Sequence, residues 1–232
     1  MLRLLCALLL PSVAIATSAG ADAATIELFN GKDLTGWKLK DAKKRNWAPM
    51  QVVVNDQEPR AFSKPATLSD RYDLVNPEPH GTDIYTEQHF GDIHLELEFM
   101  VPKGSNSGIY LMGEYEVQIL DSFGKPDDKL TQADVGALYS AAKPPKNASK
   151  KPGEWQKFVI DFQAPKFEGG KKVANAKFLK VTLNDVVLHE NIEMKQHTPG
   201  GLTGKEAAVG PLMFQGDHGP VAFRNIRVTP RK

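Results

Sequence analysis

The chain of 232 residues has one cysteine, Cys6, so no disulfide can form within it, and an exported chain without staples must rely on its core. Long apolar runs are missing too. The longest, "LLCALLLPSVAIA", follows Arg3 and is too short to span a bilayer comfortably, and no later stretch is long enough. Charge of one sign is also lacking. Formal net charge is +1, and the most basic patch, "KPPKNASKKPGE", reads as a loop, so nucleic acid is not an expected partner. The sequence has no internal repeat, no low-complexity tract and no long amphipathic helix pattern, although "DKLTQADVGALY" could hold one helical turn.

What is present begins with an address. A basic start, an apolar run and the small residues of "TSAGADAA" predict a secretory signal peptide over 1–23, and hence a periplasmic or secreted protein of bacterial type. Residues 24–232 then form one domain, and roughly 200 residues suffice for a sizeable core.

Most of that domain reads as short strands punctuated by turns. "DIHLELEFMV" alternates cleanly, with Ile93, Leu95, Leu97 and Phe99 against His94, Glu96, Glu98 and Met100. "EWQKFVIDFQA", "AKFLKVTLNDVVLHE" and "VAFRNIRVT" continue the pattern, and Asn184-Asp185 between β-branched runs signals a hairpin. Glycine and proline clusters separate the runs: "VPKGSNSG", "HTPGGLTG" and "QGDHGP" among them. Many strands with one polar and one apolar face predict an all-β fold, an antiparallel β-sandwich or jelly roll whose outer face is free to curve into a groove. Residues 41–83 are less regular. "MQVVV" reads as a strand, the rest reads as loop, and no site residue is placed there.

The stretch "SNSGIYLMGEYEVQILDSFG" (105–124) departs from simple alternation. Treated as one extended segment, it puts Ile109, Leu111, Tyr115, Val117 and Ile119 on one face. Tyr110, Met112, Glu114, Glu116 and Gln118 fall on the other. Such a face is either simply wet or holds a polar ligand.

Several motifs resemble one family, the secreted 3-keto-disaccharide hydrolases. They are "LFNGKDLTGW" (28–37), "GTDIYTEQHFGDIHLELEF" (81–99), "GSNSGIYLMGEYEVQILDSFG" (104–124), "GALY" (136–139), "NASKKPGEWQKFVIDFQAPKF" (147–167) and "GPLMFQGDHGPVAFRNIRV" (210–228). They run in the family's order over nearly the whole mature chain. The resemblance implies a fold like that of the concanavalin-type lectins and glucanases. It also implies cleavage of glycosidic bonds in sugars already oxidised at C3. In some relatives an arginine stands where Met112 sits, which implies a less positive groove here.

A C3 ketone makes the C2–H acidic, so a base could remove that proton and the C1 aglycone could leave, with water adding afterwards. Such chemistry needs a carboxylate or histidine and no nucleotide cofactor. Glu116 is the first candidate for base or acid, and the alternative is a solvated glutamate. His218 is the second, with Asp217 beside it in "QGDHGP" to orient the ring; the bland reading is a tight hairpin capped by Asp217. Asp121 is a third catalytic candidate or, equally, an Asx turn. Gln118, Tyr110, Asn106, Gln215 and Glu98 are expected sugar contacts. Tyr139 and Trp155 are placed to stack on a pyranose, and Trp37 reads as a core anchor. The other histidines, His80, His89, His94, His189 and His197, lack metal-ligand spacing and read as surface residues. A Ca²⁺ could bind loop carboxylates and carbonyls, but no ligand run is visible, and no metal site is assigned.

Two other functions stay open at this level. A retaining glycosidase of the laminarinase type carries Glu-x-Asp-x-x-Glu on one strand; here the spacing reads Glu116, Gln118, Asp121. The central carboxylate is an amide and the last side chain is a methylene shorter, against the requirement for two carboxyls about 5–5.5 Å apart. A non-catalytic sugar-binding module would use the same face and tolerate loss of Glu116.

Overall fold

The computed structural model describes residues 24–231, so the signal peptide expected over 1–23 lies outside the described residues. Among the described residues fifteen strands form, several of them where the sequence alternates. They are β1 (Ile26–Glu27), β2 (Trp37–Leu39), β3 (Ala48–Met50), β4 (Asp73–Asn76), β5 (Ile84–Phe90), β6 (Ile93–Met100), β7 (Asn106–Leu111) and β8 (Tyr115–Leu120). The second half adds β9 (Gln156–Gln163), β10 (Lys166–Glu168), β11 (Lys171–Ala174), β12 (Ala176–Leu183), β13 (Val186–Met194), β14 (Gly210–Phe214) and β15 (Val221–Pro230). Among the described residues, the helical content is one 3₁₀ turn at Asp127–Lys129, inside the stretch expected to hold it.

Two antiparallel sheets pack face to face, as the alternation predicts. The larger runs β13-β12-β9-β6-β15-β4-β3, with β1 pairing along β15; the smaller runs β2-β5-β14-β7-β8, and β10 with β11 forms a separate ribbon. Leu95, Leu97, Phe158 and Ile160 from the larger sheet share one core with Ile84, Ile109, Val117 and Phe214 from the smaller. An aromatic ladder joins the layers. Trp37 stacks on Phe214 with centroids 5.5 Å apart, Phe214 on Phe223 at 4.0 Å, and Phe223 on Trp47 at 6.2 Å. Trp37 is therefore the anchor its position implied.

The turns follow local chemistry. Asn184 and Asp185 both adopt positive φ, 50° and 65°, and Leu183 pairs Val186, the geometry of a two-residue hairpin whose twist matches its strands. The "MQVVV" strand is shorter than expected. Regular pairing ends at Met50, and Val53 makes only an isolated bridge to Ser63. The reason is packing: the chain crosses the outer face of the larger sheet, where Val52, Met50, Phe62 and Trp155 cover Val75, Met100 and Ala222.

The segment 105–124 is a hairpin, not one strand. Met112–Glu114 turn the chain, with Met112 at φ 56° and Gly113 at 72°, and the Gly113 N–H donates to the Tyr110 carbonyl at 3.2 Å. Because the turn holds three residues, opposed positions share parity: Tyr110 faces Glu116, Ile109 faces Val117 and Gly108 faces Gln118. The two-face reading therefore survives for the strands and fails at the turn. Met112 packs into the core, and the Glu114 carboxylate is buried, accepting from the N–H groups of Thr203 and Gly204.

Candidate active site

The register of the smaller sheet places polar residues from five strands side by side on its outer face. One row reads Lys38, Tyr85, Met213, Tyr110 and Glu116. The next continues past the strand ends: the Lys40 N–H bonds the Asp83 carbonyl at 2.9 Å, the Gln215 N–H bonds the Gly108 carbonyl at 2.9 Å, and Gly108 pairs Gln118. Tyr110 and Glu116 from the first row, with Lys40, Asp83, Gln215 and Gln118 from the second, floor a hollow of about 310 Å³. Its walls include Asn106, Tyr139, Asp217 and His218, and the Pro199–Gly200 loop borders it. The structure thus brings together Glu116, His218, Gln118, Tyr110, Asn106, Gln215, Asp217 and Tyr139, all singled out in the sequence.

Glu116 is held in an unusual setting. It is 3% exposed, yet among the described residues no cation pairs with it; the charges that act on it are the carboxylates of Asp83 and Asp217. Burial, reinforced by those two carboxylates, pushes its pKa up to about 8, although hydrogen bonding from the Tyr110 phenol pulls the other way. Burial and Glu116 together raise the Tyr110 phenol far above its ordinary value, so that hydroxyl stays a donor. The carboxyl has its place because residue 108 is glycine. A Cβ there would lie 2.3 Å from Glu116 Oε1. The Glu116 backbone is fixed as well, since its N–H donates to Thr198 Oγ1 at 3.1 Å.

Loops on both sides of the hollow are strapped to the sheet. Thr198 N–H bonds the Glu114 carbonyl at 2.8 Å, and Leu202 N–H bonds the Gly113 carbonyl at 2.7 Å, which seats residues 198–202 over the β7–β8 turn. From the opposite edge, Lys40 Nζ reaches the Gly200 carbonyl at 3.4 Å and Asp83 Oδ2 at 3.1 Å. The "QGDHGP" loop is gripped through its backbone. Gly216 N–H donates to Asp83 Oδ1 at 3.0 Å, the Asn76 amide donates to the Gly216 and Gly219 carbonyls, and the Ser107 hydroxyl donates to the Gln215 carbonyl. Gly216 admits no side chain, for a Cβ would sit 2.2 Å from the Thr82 carbonyl oxygen. At the tip, the His218 ring bonds Asp217 through Nδ1. An ionised carboxylate only accepts, so Nδ1 carries the hydrogen and Nε2 is left for other work. Within the hollow, Gln118 Nε2 donates to Asn106 Oδ1 at 3.0 Å, which fixes both amides.

Three candidates fall elsewhere. Asp121 takes the Asx-turn alternative: its carboxylate accepts from the N–H groups of Gly104 at 2.9 Å and Phe123 at 3.3 Å. Glu98 and Trp155 lie on the outer face of the other sheet, where Glu98 pairs with Arg224 and the Arg224 guanidinium stands 4.0 Å over the Trp155 ring. Alternation told which face of a strand is polar, not which sheet the strand joins. His189 is another correction. It is buried, donating from Nε2 to the Gly136 carbonyl at 2.9 Å, and burial lowers its pKa.

Two residues of the hollow, Lys40 and Asp83, were not singled out in the sequence. Asp83 ends the irregular 41–83 stretch, and Lys40 follows the short β2; only the pairing of β2 with β5 brings them together. The "GTDIY" motif contained the available signal, an acid directly before the start of a strand. No three His, Cys, Asp or Glu side chains cluster as metal ligands among the described residues. No helix among those residues is long and apolar enough to cross a membrane.

Comparison with known proteins follows the same lines. No curated protein matches the chain. Among solved structures, it is similar to a Parabacteroides distasonis protein solved at 2.13 Å as a candidate glycosyl hydrolase, at 30% identity and a TM-score of 0.66, over 91% of this chain and 84% of that one. A second such protein from the same organism shares the fold at 19% identity and a TM-score of 0.60, over 90% of this chain and 94% of that one. Residues 24–229 match the 3-keto-alpha-glucoside-1,2-lyase-like domain, and the chain belongs to that family.

Proposed function

We propose that the protein cleaves the glycosidic bond of 3-keto-glycosides, disaccharides among them, by removing the C2 proton and eliminating the C1 substituent. The observation that carries this reading is the state of Glu116. Its buried carboxyl has a pKa near 8 and no paired cation, so its ionised form is a far stronger base than an ordinary carboxylate. The acidic C–H next to a ketone needs such a base.

In this scheme the Glu116 carboxylate takes the C2 proton, and the C–H electron pair forms the C2–C3 enolate. The Lys40 ammonium, at the same hollow, lies where it can face the developing oxygen at C3. The enolate then restores the C3 ketone and forms the C1–C2 double bond. The C1–O pair departs with the aglycone oxygen, which takes a proton from imidazolium His218, held by Asp217. Solvent removes the proton from Glu116 and returns one to His218. Addition of water across C1–C2 then yields the free 3-keto sugar. Gln118 and Asn106, locked to each other, and Gln215 hold sugar hydroxyls. The Tyr139 ring stands between this hollow and a neighbouring one of about 450 Å³ along Ile192–His197, room for the departing sugar.

The membership of the family and the likeness to a candidate glycosyl hydrolase support a carbohydrate substrate. The placement of Asp121 counts against a laminarinase-type pair, because its carboxylate is spent on a turn. The test is to incubate the protein with a 3-keto-disaccharide and with its unoxidised parent and to follow monosaccharide release. Cleavage of the keto sugar alone, lost in Glu116→Gln, is expected. Cleavage of the parent would make it an ordinary glycosidase, and binding without cleavage of either would make it a binding module.

A further inference from the structure

We propose that the outer face of the larger sheet carries a second, separate binding site for a neutral carbohydrate, built from Arg71, Asp73, Trp155, Arg224 and Asn225. These residues line a cavity of about 360 Å³ between the 51–71 segment and strands β4 and β15. It shares no residue with the hollow around Glu116 and opens on the opposite layer of the sandwich.

Four observations point to a polyhydroxyl ligand. The Asp73 carboxyl lines the cavity half-buried and, among the described residues, makes no side-chain hydrogen bond or ion pair. Burial pushes it up to about 6, against the pull of Arg224 and Arg71. A half-buried acceptor that no protein donor satisfies is open to a hydroxyl donor from a ligand. Around it, polar groups are locked in place. Arg71 donates to Asn225 Oδ1 at 3.3 Å, and Asn225 Nδ2 donates to Glu98 Oε2 at 3.2 Å. Asn225 sits at φ 51° inside β15, where the pairing with β6 slips between Arg224 and Arg227. A left-handed non-glycine residue on a bulge re-aims a side chain and is a feature found at binding sites. Finally, Val52 and the exposed part of the Trp155 ring supply apolar surface for the C–H face of a sugar.

Charge decides against an anionic ligand. Arg224 is already matched by Glu98, and Asp73 faces both guanidiniums, so an added carboxylate or phosphate would meet two acids at close quarters. A neutral sugar instead offers hydroxyl donors to Asp73 and acceptors to Arg71.

Tryptophan fluorescence tests this directly, because Trp37 and Trp47 are buried in the core and no tryptophan lines the Glu116 hollow. The protein would be titrated with maltotriose, cellotriose and laminaritriose, and with trigalacturonate as the anionic counterpart. A saturable change with at least one neutral trisaccharide is expected, unaltered in Glu116→Gln and at least tenfold weaker in Asp73→Asn. If Asp73→Asn does not fold, Arg71→Ala, an exposed position, should show the same weakening. No saturable change with any neutral sugar would overturn the proposal. So would a change that survives both variants, one lost in Glu116→Gln, or tighter binding of trigalacturonate.

Discussion

Glu96 and Glu116 occupy the same kind of place, the outer face of a strand in one sandwich, and their chemistry is opposite. On the larger sheet Glu96 accepts from Lys157 Nζ at 2.5 Å and lies 3.3 Å from His94, and the Lys157 bond leads in holding its pKa below the ordinary carboxyl range. On the smaller sheet Glu116 is buried, faces two other carboxylates and is pushed up to about 8. The difference lies in what the neighbouring strand presents. Opposite Glu96, β9 brings Lys157 and Asp161 into a half-exposed charge network; opposite Glu116, β7 brings a tyrosine and a glycine. A strand face that pairs its charges is built for solvent, and one that isolates a carboxyl under loops is the setting the proposed base requires.

This contrast can be broken at several points. The largest effect is expected from Glu116→Gln, which should lower turnover of a 3-keto-disaccharide about 10²–10⁴-fold, while Glu96→Gln stays near wild type; steady-state kinetics on both variants check it. Gly108→Ala comes next. Its new Cβ falls where Glu116 Oε1 lies, so the carboxyl must move, and turnover should drop on the order of 10²-fold without any change of titratable group. The pH profile sharpens the comparison further. A base with a pKa near 8 gives kcat/KM a limb that rises with pH toward about 8, and the leaving-group acid, which must carry its proton, adds a falling limb at higher pH; a profile without the rising limb would contradict a base at Glu116.

Stability should separate the two glutamates as well. For Glu116 the folded-state pKa lies above the ordinary value of 4.5, so the folded protein binds the proton more tightly than the unfolded chain does. Its contribution is full below about pH 4.5 and is lost as pH rises toward about 8. Glu116→Gln should therefore stabilise the protein at pH 7 by about 1–3 kcal/mol, read as a Tm several degrees higher. For Glu96 the sign is reversed. Its lowered pKa contributes stability above the ordinary carboxyl range, lost as pH falls, and because the pair is partly exposed Glu96→Gln should cost less than about 1 kcal/mol.

Much of this was legible in the chain because sandwich strands carry their own period. The alternation of β6, β9, β12 and β15 gave the strands, and parity put Tyr110, Glu116 and Gln118 on one face even though a turn interrupts them. The turn hid the fates of Met112 and Glu114, since period-two reasoning has no meaning where φ turns positive. Lys40 and Asp83 escaped because strand order is non-local: β2 and β5 reach the site through pairings with partners far along the chain. Glu98 and Trp155 were misplaced for the same reason, being polar-face and strand-start residues of the other sheet. Asp121 fell one residue past β8, where a carboxylate serves the backbone more readily than the groove.

The most direct test of the central claim uses a 3-keto-disaccharide carrying deuterium at C2. Under single-turnover conditions, cleavage should be slower than with the protiated sugar by a primary isotope effect, and Glu116→Gln should lose cleavage of both. Equal rates for the two sugars, with cleavage retained in Glu116→Gln, would contradict proton abstraction by Glu116.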